Sequence, residues 1–181
     1  GKLHANNLVN RVPDAELVAV SDVYAPAAKE LAEKLNIPKW YDDYRRILED
    51  RDIDAVFICS STDTHSPISI EAARAGKHIF CEKPIDHDLD KIKVVLEEVK
   101  KAGVKYQVGF NRRFDRNFKH VHEVVQSGGI GDVQIVKVTS RDPEAPPLSY
   151  VKVSGGIFVD MTIHDFDMVR YLSGSEVTEV S

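Results

Sequence analysis

Short apolar runs alternate with helical patterns through the first 110 residues. Leu17-Val18-Ala19-Val20-Ser21 reads as a strand, and Ala25 to Leu35 follows with helical spacing. Ala55-Val56-Phe57-Ile58-Cys59 is a second apolar run. Pro67 stands where a first helical turn tolerates proline, ahead of Ile68 to Ala75, and Gly76 stops that helix. Ile79-Phe80-Cys81 is a third run. Leu89 to Ala102 is a strong amphipathic segment: Leu89, Ile92, Val95, Leu96 and Val99 share one stripe, with Lys and Glu opposite. Gly103 caps it, and Val104 to Gly109 is a fourth strand. Non-alternating runs of about five apolar residues suit strands buried on both faces, and interleaved helices then predict parallel βαβ units. The expected architecture is a doubly wound α/β sheet, whose ligands sit outside the carboxyl ends of the strands.

After Gly109 the pattern changes. Phe110-Asn111-Arg112-Arg113-Phe114 is basic and aromatic, and a helix is predicted from Asp115 to Gln126. Val133-Gln134-Ile135-Val136-Lys137-Val138 alternates like a strand buried on one face. Pro143, Pro146 and Pro147 break up a loop. Gly155-Gly156 leads to a helix from about Asp160 to Leu172, closed by Gly174, and Val177 to Ser181 opens as a strand. A domain boundary is placed near Gly109 to Phe114, giving one domain over residues 1–110 and the beginning of another over 111–181.

A length of 181 residues suits one domain plus part of a second. A hydrophobic fraction of 43% permits an ordinary packed core. The net charge of -5 leaves no basic surplus for phosphates, which argues against nucleic-acid binding. No apolar run approaches membrane-spanning length. Cys59 and Cys81 each close an apolar run and read as buried thiols of a reducing compartment, the cytoplasm. His120-x-His122 lies on a polar helix without a carboxylate or Cys cluster, so no metal site is expected.

The candidate chemistry begins where the third run stops on Glu82-Lys83-Pro84. Charge at a strand end can be mere solvation, but in this fold that end faces the ligand. Pro84 also biases Lys83 towards an extended backbone. Asp22 closes the first strand, where a carboxylate could accept both hydroxyls of an adenosine ribose. A dinucleotide site places its glycine-rich turn about 20 residues before such an acid. That count reaches Gly1, followed by Lys2-Leu3-His4-Ala5, the first turn of a helix. Gly1 thus reads as the last glycine of a turn that begins earlier. The expectation is an internal piece of a longer protein, lacking the central strand, with Leu17–Val20 and Ala55–Ile58 flanking its slot.

Glu82-Lys83-Pro84, Gly109-Phe110-Asn111-Arg112-Arg113-Phe114 and the stretch "GGIFVDMTIHDFD" from Gly155 to Asp167 together resemble the Gfo/Idh/MocA oxidoreductase family, especially its inositol 2-dehydrogenase branch. The resemblance implies an N-terminal Rossmann domain and a C-terminal α/β domain on a mainly antiparallel sheet. It implies NAD(P)-dependent oxidation of a polyol or sugar hydroxyl and a homo-oligomer, tetramer or dimer. It places Lys83, Asp160 and His164 in the catalytic set and Asp22 at the ribose. It puts Ser60, Thr62 and His65 in the loop lining the cofactor, Glu82 beside Lys83, and Asn111 and Arg112 near cofactor and substrate.

Physical chemistry supports these roles separately. Asp160 and His164 are four apart, which one helix would place on one face. Alcohol oxidation releases a proton as well as a hydride, and an imidazole can take that proton near neutral pH. An ammonium nearby stabilises developing alkoxide character. Asp22 should repel the extra phosphate of NADP, with no cation at Val23 or Tyr24 to compensate, so NAD is expected. Taken singly, each residue has a plainer reading: a surface Asp/His pair, a helix cap at Asp160, solvated arginines. Their joint occurrence favours the catalytic one. Two other functions stay open: a nucleotide- or ligand-sensing module without chemistry, and an enzyme using transient NAD oxidation for elimination or glycoside cleavage.

Overall fold

Helix and strand alternate through the first unit of the chain in the computed structural model, which describes residues 1–181. The chain divides into two compact units, Gly1–Val108 and Gly109–Ser181. The first contains α1 (Lys2–Arg11), β1 (Ala19–Ser21), α2 (Ala25–Leu35), β2 (Lys39–Tyr41), α3 (Arg45–Glu49), β3 (Ala55–Ile58), α4 (Thr62–Arg74), β4 (His78–Cys81), α5 (Leu89–Ala102) and β5 (Tyr106–Val108). All strand pairs are parallel. β1 pairs with β2, Ala19 opposite Lys39 and Ser21 opposite Tyr41. A second sheet has the order β3-β4-β5. β1 and β3 are not paired with each other, so each has one edge outside any ladder.

The core of this unit lies where α4 and α5 pack over the second sheet. Ile58, Ala72, Ala73, Ile79, Cys81, Val95 and Val99 are buried together. Small residues on α4 let it approach the sheet closely. The stripe predicted on α5 is only partly buried: Val95 and Val99 enter the core, while Leu89 and Leu96 remain 72% and 50% exposed. Asp88 caps α5 by accepting the Asp90 amide at 2.8 Å, and Gly103 ends it with φ at 69°, a left-handed conformation that suits glycine.

Sequence pattern and structure differ at several elements. β2 and α3 are absent from the pattern, because three residues with a lysine and a tryptophan make no apolar run. α4 begins five residues before Pro67, at Thr62. Ser61 supplies the extended residue before it, and Ser and Thr at a helix start outweigh the proline as a boundary signal. Pro67 therefore lies inside the helix, in its second turn.

The second unit contains a 3₁₀ turn over Asn111–Phe114, α6 (Arg116–Gln126), α7 (Leu148–Val151), α8 (Ile157–Asp160) and α9 (Ile163–Ser173). α6 packs on α9, with the His122 ring stacked on Tyr171 at 3.9 Å and its Nδ1 2.8 Å from the Tyr171 carbonyl. Neither Val133–Val138 nor Val177–Ser181 forms a strand. A strand needs a neighbour to take its N–H and C=O groups, and no ladder forms in this unit. Ile135, central to the expected buried face, is 87% exposed. No helix is long and apolar enough to cross a membrane.

Candidate active site

In the first unit the candidate residues gather at the carboxyl ends of the parallel strands. Glu82 and Lys83 follow β4, both half-buried. The Glu82 amide donates to Ile58 O at 3.0 Å, which extends the β3–β4 pairing up to Lys83. The Lys83–Pro84 peptide is cis. Glu82 Oε1 lies 2.6 Å from His4 Nε2, so the carboxylate joins the turn after β4 to α1. Phe57 and Phe80 stack beneath this contact at 4.8 Å, with the His4 ring 5.0 Å from Phe80.

The loop after β3 is internally bonded. Thr64 Oγ1 donates to Ser60 Oγ at 2.6 Å, and Thr62 opens α4. His65 is buried, with both ring nitrogens facing backbone carbonyls, those of Pro84 and Ser60. Gly1 precedes α1 and accepts the Ala5 amide at 3.0 Å. A side chain there would first meet Cys59 Cβ at 4.0 Å, an ordinary contact, so packing within this chain does not itself require glycine. Asp22 is exposed just beyond β1, and its Oδ1 accepts the Tyr24 amide at 2.9 Å. Burial pushes the Cys59 thiol up and the Cys81 thiol up to about 11, so neither is a ready nucleophile at neutral pH.

In the second unit, α8 ends at Asp160 and α9 starts at Ile163, so Asp160 and His164 are not on one continuous helix. Helical hydrogen bonding changes register between them. The Thr162 amide reaches back five residues to Ile157 O, whereas the Phe166 amide bonds Thr162 O in normal helical fashion. Asp160 does not cap α9; its Oδ1 accepts the Tyr150 hydroxyl at 2.7 Å, and that bond pushes the Tyr150 hydroxyl up. His164 is half-buried and meets the Phe110 ring edge-on, centroids 6.3 Å apart.

Asn111 is exposed, while Arg112 is engaged within its own unit by Asp165 and, at 3.1 Å, by Ser140 Oγ. Arg113 holds Asp167 through three contacts of 2.6, 2.8 and 3.1 Å. The two arginines thus join the 3₁₀ turn to α9 on either side of Phe166. Sequence reasoning missed Asp165 and Asp167 as their partners. The available signal was the match between two adjacent arginines and two acids in His164-Asp165-Phe166-Asp167.

Comparison with known proteins identifies the family. Residues 1–110 match the Gfo/Idh/MocA family model described as an oxidoreductase family with an NAD-binding Rossmann fold, and residues 118–181 match the family's C-terminal domain. The chain belongs to the Gfo/Idh/MocA oxidoreductase family, and its first unit is an NAD-binding Rossmann domain. It is 53% identical over 180 residues to a myo-inositol 2-dehydrogenase of Thermotoga maritima, covering 99% of this chain and 54% of that protein. A crystal structure of a probable dehydrogenase from Thermotoga maritima superposes with a TM-score of 0.94 at 52% identity, covering 97% of this chain and 52% of that one. The scyllo-inositol dehydrogenase of Lactobacillus casei, solved with bound NAD(H) and scyllo-inositol, superposes with a TM-score of 0.87 at 35% identity, covering 96% and 53%. The chain spans about half the length of the curated relatives it matches.

Proposed function

We propose that the full-length protein is an NAD-dependent dehydrogenase that oxidises a secondary hydroxyl of inositol or a related polyol to a ketone. The carrying observation is that Lys83 stands at a strand end of an NAD-binding Rossmann domain, in a chain that also contains Asp160 and His164. The similarity to inositol dehydrogenases, one of them solved with NAD(H) and scyllo-inositol, supports the substrate class.

The residues present fit a dinucleotide. Asp22 is an exposed carboxylate beyond β1, beside the exposed Val23 and Tyr24 and with no cation at either position. It would hold the ribose hydroxyls and disfavour a phosphate in their place. The start of α1 at Gly1 and the hydroxyls of Ser60 and Thr62 at the start of α4 supply donors for the rest of the cofactor. Asn111 completes that set in this reading. Arg112, held by Asp165, would act by shaping the turn. Once bound, the nicotinamide supplies the hydride acceptor.

This chain's residues handle the proton. His164 takes it from the substrate hydroxyl. Lys83 stabilises the negative charge developing on that oxygen. Asp160 orients a substrate hydroxyl, with Tyr150 fixing its carboxylate. Self-association into a dimer or tetramer belongs to the same reading, supported by exposed Leu148, Ile157 and Phe158 in the second unit. The test is reduction of added NAD by the full-length protein across a panel of inositols and other polyols. Polyol-dependent net formation of NADH, with a ketone product, is expected. Cofactor binding with no net reduction by any polyol would favour a sensing module or an enzyme that returns the hydride.

A further inference from the structure

The loop containing Ser60 and the turn containing Lys83 are joined by a single buried side chain. His65, in the first turn of α4, is 2% exposed. Its Nδ1 lies 2.7 Å from the carbonyl oxygen of Pro84, and its Nε2 lies 3.0 Å from that of Ser60. Both partners are backbone carbonyls, which only accept; a neutral ring carries one N–H, assigned to Nδ1 by its closer approach to Pro84 O, and Nε2 then only faces Ser60 O. Both ring nitrogens face the chain's own backbone, whereas the resemblance put this residue in the loop lining the cofactor.

Pro84 directly follows Lys83, and it is buried. On the other side of Lys83, the Glu82 amide is bonded to Ile58 O at 3.0 Å. The lysine is therefore the one residue between two backbone anchors, one from β3 and one from α4. The neighbour of His65 strengthens the second anchor. Ser66 Oγ donates to Asp86 Oδ2 at 2.5 Å, and Asp86 Oδ1 accepts the Asp88 amide at 3.0 Å, just before α5. Consecutive residues of α4 thus hold the turn at Pro84 and at Asp86.

We infer that His65 is a positioning residue for Lys83: through the Pro84 carbonyl it fixes the backbone from which the ammonium projects. This rests on the reading of Lys83 as a catalytic group. Displacing a catalytic group by about 1 Å can cost about 100-fold in rate without removing any contact to substrate. His65 therefore acts on turnover and not on cofactor affinity.

The two ring nitrogens can be separated by amide replacements. His65→Asn places a carboxamide nitrogen close to the position of Nδ1 and can keep the bond to Pro84. His65→Gln reaches towards the position of Nε2, beside Ser60, and loses the bond to Pro84. In the full-length protein, His65→Ala and His65→Gln are expected to lower kcat by about 10- to 100-fold with NAD Kd within about threefold of wild type, while His65→Asn loses markedly less. On a Lys83→Met background, His65→Gln should cost almost nothing further, because the group it positions is gone.

Equal loss in the Asn and Gln variants would overturn the inference, as would kcat within about twofold of wild type in both. Full additivity with Lys83→Met would also overturn it. Melting temperatures are recorded for every variant; if His65→Ala does not fold, the Asn and Gln pair still decides. Lys83→Met alone at wild-type turnover would remove the catalytic reading of Lys83 itself. That result is read with His65 intact and so is distinct from failure of the positioning role.

Discussion

Arg113→Met removes the cation that pairs with the most buried ion-paired carboxylate of the second unit, Asp167. Asp167 is 5% exposed and Arg113 39%, and the guanidinium makes three contacts with the carboxylate while lying 5.2 Å from the centre of the Tyr171 ring. Breaking a fully buried pair costs about 3–5 kcal/mol, and an exposed pair is worth about 0–1 kcal/mol. With one partner buried and the other open to water, about 2–3 kcal/mol is expected, part of it from leaving Asp167 enclosed without its cation. Methionine keeps most of the side-chain volume, so lost packing contributes little. The loss falls on α9, the helix that presents His164. Amide hydrogen exchange of the full-length protein, followed by mass spectrometry over residues 163–173, reads the free energy of local opening. The expected result is about 30- to 150-fold faster exchange in α9, since about 1.4 kcal/mol is tenfold. Removing both partners, as in Arg113→Met with Asp167→Leu, should recover part of the loss. Exchange in α9 within about threefold of wild type would show that this pair does not hold the helix, and the magnitude argued here would be wrong.

Three further outcomes follow from individual contacts. Burial pushes the Asp86 carboxyl up, but the Ser66 hydroxyl, the Asp88 amide and Lys91 outweigh it and hold the group below its ordinary range. Ser66→Ala should therefore cost about 1.5–3 kcal/mol at neutral pH, and the deficit in thermal stability should shrink as pH falls from about 4, the ordinary carboxylate value, through the lower pH at which the native Asp86 carboxylate takes up its proton; a deficit that grows in acid would contradict this sign. Burial pushes both thiols up and encloses Cys81 more than Cys59, so a thiol reagent at neutral pH should label Cys59 first and Cys81 only on unfolding; equal rates in the native protein would refute it. Asp22→Ala should narrow the preference for NAD over NADP in kcat/KM by about 10-fold or more, and comparable efficiency with both cofactors in the wild type would count against Asp22.

The parallel α/β order was legible because β3, β4, α2 and α5 each combine apolar runs or stripes with clear stops, such as Gly76 and Gly103. β2 was not, because strand pairing depends on a partner far along the chain, and Lys39-Trp40-Tyr41 carries no local apolar run. Val133–Val138 failed in the opposite sense: it has the local alternation, but no neighbour pairs with it in this chain. Among the candidate site residues, the placement of Lys83 at a strand end was legible in the sequence. Asp160 and His164 were chosen by type and by resemblance, and their local geometry was not legible, since four-residue spacing does not reveal the break at Met161-Thr162. The placement of the His65 ring between two carbonyls was hidden for a related reason. Spacing shows which side chains can share a face; it does not show which distant backbone group needs a donor.

The assignment of Lys83 and His164 to the chemical step is tested most directly by measuring kcat and NAD Kd together for Lys83→Met and His164→Gln in the full-length protein, with an inositol as substrate. Loss of the group that takes the proton costs about 100- to 10,000-fold, and loss of one that stabilises the oxyanion about 100- to 1,000-fold. Both variants should show kcat reduced within these ranges, with NAD binding within about threefold of wild type. Turnover near the wild-type rate in both, with cofactor still bound, would contradict the account.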